Sequence, residues 1–120
     1  MTIDKETKTI AMNRGDRATI KLTAKNNKKF KVNDIIRLTI MQKGDYNKVL
    51  FQKVYKIIEE SPTYFLTLLP DDTRFGDIIS TKKEYWYEME YNNDITMIGY
   101  DEKRAKKFIL YPEAPIKEEK

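Results

Sequence analysis

The sequence predicts an all-β domain, a sandwich or barrel of seven to eight short strands with at most one short helical turn. Three observations carry this expectation. Apolar and polar residues alternate with period two along most segments, the signature of half-buried strands. Ile, Val, Tyr and Phe, which suit a pleated surface, supply many of the apolar positions. Turn-forming Gly, Asn, Asp and Pro separate these runs at roughly the 8–12-residue spacing of a sandwich. A chain of 120 residues suits one domain with one core.

The elements follow in order. Residues 7–13, "TKTIAMN", read as an edge strand. Arg14-Gly15-Asp16 comes next. Glycine accepts positive φ, and an aspartate can bond nearby backbone N–H groups, so Gly15 and Asp16 predict a tight turn. On this reading Gly15 is essential and Arg14 dispensable. Display of the tripeptide to a cell-surface receptor would need secretion, and "MTIDKETKTI" lacks the apolar core of a secretion signal. "RATIKLTA" sets Ala18, Ile20, Leu22 and Ala24 against Arg17, Thr19, Lys21 and Thr23. "NNKK" is a polar turn. "DIIRLTIMQ" sets Ile36, Leu38 and Ile40 against Ile35, Arg37, Thr39 and Met41, and Gly44-Asp45 turns the chain into "VLFQKVYKII".

"TYFLTLL" is the next strand and stops at Pro70. "PDDTRFGDIIST", residues 70–81, alone does not read as strand. Asp71 or Asp72 could cap a helical turn there and Gly76 end it. In "YWYEMEYN", Tyr85, Tyr87, Met89 and Tyr91 alternate with Trp86, Glu88 and Glu90. "ITMIGY" and "KKFILYP" close the set. The domain is expected over residues 1–112. The Pro-punctuated, charged residues 113–120 are expected to form a flexible tail.

The chain has neither Cys nor His. Disulfides, thiolate metal sites and the Ser-His-Asp relay are therefore excluded, and only carboxylate-based catalysis stays open. No apolar run is long enough to cross a bilayer as a helix. Net charge is +4, with lysines mixed among acids rather than clustered. Lys25, Lys28, Lys29 and Lys31 make the densest basic stretch, read first as a solvated loop and second as a nucleic-acid contact. Asp71, Asp72 and Asp77 could hold a hard cation through oxygen ligands, but capping and solvation account for them more simply. Trp86 could stack on a sugar or a base. Phe75, Ile78 and Ile79 are apolar residues in a connecting loop, and lie either on the core or on a partner.

A set of short motifs carries a resemblance: "NRGDRATIKL", then the F-x-x-x-D-x-I of "FKVNDIIRLTI", then "LTLLPDDT", "YWYEMEY", the T-x-I-G of "ITMIGY", and "FILYPEA". In this order the chain, from about Met12 to Ala114, resembles the N-terminal domain of phage baseplate upper proteins from viruses of Gram-positive bacteria. The resemblance implies an immunoglobulin-like antiparallel β-sandwich that docks onto the tail tip. It implies a structural component of a phage tail, baseplate or phage-tail-like particle, reaching the virion tail after assembly in the host cytoplasm. Its partners would be other tail or baseplate proteins and copies of itself in a symmetric ring, with no enzymatic activity, cofactor or metal, and no membrane insertion. Family members continue into a long C-terminal part, whereas this chain stops at Lys120. That fits a stand-alone component or adaptor. The assembly contact would include Phe75, Ile78 and Ile79 with the lysine turn before Phe30 and the C-terminal segment. Two other functions fit the residues: a carbohydrate-binding module using Trp86, and a small nucleic-acid-binding β-barrel using the four lysines.

Overall fold

A computed structural model describes residues 1–101 and 104–114. Among these residues the strands are β1 (Thr2–Ile3), β2 (Ile10–Asn13), β3 (Ala18–Thr23), β4 (Ile35–Gln42), β5 (Asp45–Lys56), β6 (Thr63–Leu68), β7 (Lys83–Tyr91), β8 (Ile95–Ile98) and β9 (Lys106–Tyr111). The only helical element among the described residues is a single 3-10 turn, Pro70–Thr73. Each predicted run is a strand. β5 is longer than expected, because the Gly44 turn is tight and the ladder with β4 resumes at once through a bulge at Ile40–Gln42.

The strands form two sheets. The larger runs β1-β2-β9-β7-β4-β5, and the smaller pairs β3 with β6. β9 pairs β7 at Lys83–Tyr87 and β8 pairs it at Met89–Tyr91, so β8 and β9 together line one edge of β7. With β9-β7-β4-β5 facing β3-β6, the order is that of an immunoglobulin-like sandwich. The sheets are antiparallel except for one pair: β2 runs parallel to β9, with Ile10 opposite Phe108 and Asn13 opposite Tyr111. That pairing joins the two ends of the domain across one edge.

Period-two alternation becomes burial directly. β3 alternates buried and exposed residues along its whole length. Ile20 and Leu22 from β3 and Leu66 and Leu68 from β6 meet Ile36, Leu38, Ile40, Tyr85, Tyr87, Met89, Phe108 and Leu110 from the larger sheet. On the opposite face of β4, Thr39 and Met41 are buried as well. Something therefore covers the outer side of the larger sheet at that point.

Asparagines do much of the turning. Asn26 and Asn27, and again Asn92 and Asn93, have positive φ at both central positions, the requirement of a type I′ turn, and the second pair closes the β7–β8 hairpin.

Candidate functional site

The Arg14-Gly15-Asp16 turn lies at one end of the sandwich. The Asp16 amide donates to Asn13 O (3.2 Å), and Gly15 has φ +85°, as a type II turn requires at its third position. Asp16 acts through its backbone. Its exposed side chain makes no hydrogen bond among the described residues, contrary to the expected side-chain contact. The Gly15 amide donates to Thr73 Oγ1 (2.7 Å), and Thr73 is fully buried.

Arg14 is not dispensable by geometry. It is buried, and its Nη1 lies 3.6 Å from Glu113 Oε1. Arg74 reaches the same carboxylate, with Nε to Oε1 at 3.2 Å and Nη2 to Oε2 at 2.8 Å. Arg74 also holds Asp71 (2.6 Å). Glu113 falls within the expected tail, because it sits among prolines and charges. Its side chain is instead nearly buried between two guanidinium groups. The ordered fold thus extends through Glu113, and residues 115–120 of the expected tail lie outside those described.

A second knot joins β4 to the β7–β8 turn. Asp34 accepts hydrogen bonds from the Lys31 amide (2.9 Å), the Asn92 side-chain amide (3.1 Å) and the Tyr91 hydroxyl. Burial opposes ionisation of Asp34, but these three donors outweigh it and hold the carboxyl below its ordinary value. Burial first, and then Asp34, pushes Tyr91 up to about 12. Asn92 Oδ1 accepts from the Ile35 amide (2.9 Å), and the Phe30 ring packs against Tyr91 with centroids 5.9 Å apart.

The 70–81 connection resolves the choice left open for its apolar residues. Phe75 stacks on Phe51 (centroids 6.0 Å) and meets Tyr85 edge-on (5.0 Å). Ile79 also packs on the core. Only Ile78 points outward, at 77% exposed. The three-residue apolar contact surface is thereby reduced to one residue, because a two-stranded second sheet leaves part of the core for this loop to cover. Of the three aspartates, Asp72 accepts from the Leu69 amide (2.7 Å) and pairs with Lys53 (2.9 Å), and Asp71 pairs with Arg74. Among the described residues no group of three or more acidic, His or Cys side chains is placed to hold a metal ion. No helix among them is long and apolar enough to cross a membrane.

Trp86 lies on the outer face of the larger sheet opposite Met41. Its ring packs against Tyr46 (5.6 Å) and Tyr100 (6.3 Å), which also meet each other (5.6 Å). Met41, the cross-strand neighbour of Trp86, is buried on this face. Beside the three rings, burial and the neighbouring Glu90 carboxylate raise the affinity of Glu88 for its proton. Lys25, Lys28, Lys29 and Lys31 are all exposed.

Thr73, Arg74 and Glu113 were not legible as a site. They lie in two segments 39 residues apart along the chain at Arg74–Glu113, and no local pattern couples them. The one available signal was that "PDDT" and "FILYPEA" both belong to the motif series.

No protein-family model, curated protein or solved structure matches the chain.

Proposed function

We propose that the protein is a structural component of a phage tail, baseplate or phage-tail-like particle, acting by protein–protein assembly. One observation carries this reading: the residues behind the resemblance converge in space as architectural joints. Gly15 of "NRGD" bonds Thr73 of "PDDT", and Arg14 and Arg74 share Glu113 of "FILYPEA". Asp34 of the F-x-x-x-D-x-I stretch ties to Tyr91 at the end of the aromatic strand. Gly99 of T-x-I-G packs against Thr96 and Glu88, with no room for a side chain. Motifs that fasten loops to strands suit a rigid building block, whose function lies in buried interface area rather than in a reactive group.

The Arg74–Glu113 pair also sets the Ile78 loop and the C-terminal segment at one end of the sandwich. This end is the proposed contact with neighbouring tail proteins or with further copies in a ring. Mass spectrometry of purified particles tests the reading. The chain is expected as a virion component in a fixed ratio to other tail proteins. Its absence from intact particles would overturn the proposal.

A further inference from the structure

Two adjoining clefts, of about 550 and 350 Å³, share Asp101 and Lys106. The smaller one brings together Lys8 from the β1–β2 connection, Lys25 from the β3–β4 connection, Lys106 from β9, and Tyr100. Three segments far apart in sequence thus each contribute a lysine to the lining of one cleft.

Two of these lysines are held in ways a solvated surface lysine is not. Lys8 has φ +62°, a conformation a lysine adopts at a cost, and its carbonyl accepts from the hydroxyl of Tyr87, a fully buried core residue. Lys106 is only 12% exposed at its side chain, and its Nζ lies 2.7 Å from Asp101 Oδ1. A nearly buried charge needs a partner. Here the partner is a carboxylate that is itself 66% exposed, on a bridge closed between Asp101 and Arg104. Asp101 lines both clefts, so the anion that Lys106 faces lies at their shared boundary.

We infer that this cleft binds the phosphate monoester group of a ligand, held by Lys8, Lys25 and Lys106. The charge selects the class. With Lys106 neutralised by Asp101, two positive charges remain among the cleft's described residues, and a phosphate monoester carries about −1.5 to −2 at neutral pH. A carboxylate would leave one cation unmatched. Lysine ammonium groups with rotatable donors also suit the tetrahedral oxygens of phosphate better than a planar acid. A nucleic-acid strand needs a basic track rather than a pocket. Glu88 and Glu90 lie beside the Trp86–Tyr100 rings and interrupt any such track. The inference stands independently of the assembly reading.

The test is a titration of the full chain followed by amide NMR, with glycerol 3-phosphate, glycerol and a single-stranded oligonucleotide as probes. Glycerol 3-phosphate is expected to give saturable shifts at Lys8, Lys25, residues 98–101 and Lys106, and glycerol none. Lys8→Asn with Lys25→Gln keeps the left-handed turn, since asparagine tolerates it, and removes two exposed charges. It should weaken binding about tenfold or more while leaving thermal unfolding unchanged. Asp101→Asn should tighten binding by exposing Lys106. Absent or non-saturating shifts, or equal affinity in the double variant, would overturn the site. Tighter binding of the oligonucleotide, with shifts spreading to Lys28, Lys29 and Lys31, would overturn the monoester in favour of nucleic acid. Unchanged or weaker binding by Asp101→Asn would overturn the role given to that carboxylate.

Discussion

Gly15 answers to two constraints at once. Its φ of +85° strains any side chain with a Cβ, and an added Cβ would collide with the Glu113 carboxylate. Gly15→Val should therefore destabilise the fold by a few kcal/mol, read as a lowered urea midpoint with unchanged slope. Equal midpoints would show that the turn is not strained. Arg14 and Arg74 are coupled through Glu113, so the single changes Arg14→Ala and Arg74→Ala should not add. Glu113→Gln should cost about 1–3 kcal/mol, because it leaves the nearly buried Arg14 charge without its carboxylate. A double-mutant cycle between Arg14 and Glu113 that gives no coupling energy would show the pair to be incidental. The Asp71–Arg74 contact is worth less, since Asp71 is 89% exposed. The RGD tripeptide is not a displayed ligand in this fold. Its arginine is buried and its glycine is fastened to Thr73.

At the scale of elements, the 70–81 connection serves as a third wall of the core. Phe75→Ser should lower the stability of the isolated chain by about 1–3 kcal/mol, since the ring is partly buried against Phe51 and Tyr85. Ile78→Ser should leave thermal unfolding unchanged and, on the proposed assembly reading, abolish incorporation into particles. Equal stability losses in both would contradict the separate positions of the two side chains. β6 is an edge strand with no charged residue, and its free backbone groups would invite pairing. Side chains take two positions along it and one just past its end: Tyr55 donates to Thr67 O (3.0 Å), Ser61 accepts from the Thr63 amide (3.1 Å), and Asp72 from the Leu69 amide (2.7 Å). On the outer face, Glu88 and Glu90 stand two residues apart on β7, with Arg37 and Thr39 of β4 and Thr96 of β8 in register beside them. Burial and then Glu90 raise the pKa of Glu88, so the folded state favours its protonated form. The stability this contributes is present below the ordinary glutamate pKa and is lost as pH rises through the raised value. Glu88→Gln should therefore be close to neutral at pH 4 and raise the melting temperature at pH 7. Identical differences at both pH values would refute the shift.

For the whole molecule, closure depends on β9, which lies between β2 and β7. Phe108 and Leu110 on it are fully buried. A chain ending before Lys106 should show no cooperative unfolding transition, whereas a β-rich circular dichroism spectrum with a sharp melt would contradict this. Pairing Ile10 with Phe108 is among the most non-local contacts available to the chain, so refolding should take milliseconds to seconds by stopped-flow fluorescence. The strands from β2 onward, the alternating faces of β3, β4 and β7, and the Gly15 turn were readable along the chain, because a side-chain period of two and the φ tolerance of glycine are local properties. Ala18, Ile20 and Leu22 had to share a face whatever β3 packed against. The burial of Arg14, the docking of Glu113, the inward turn of Phe75 and the gathering of Lys8, Lys25 and Lys106 had no local signature. Each depends on two or more segments brought together only when the sheets close, and a charged or aromatic side chain acquires its partner and its burial at that moment.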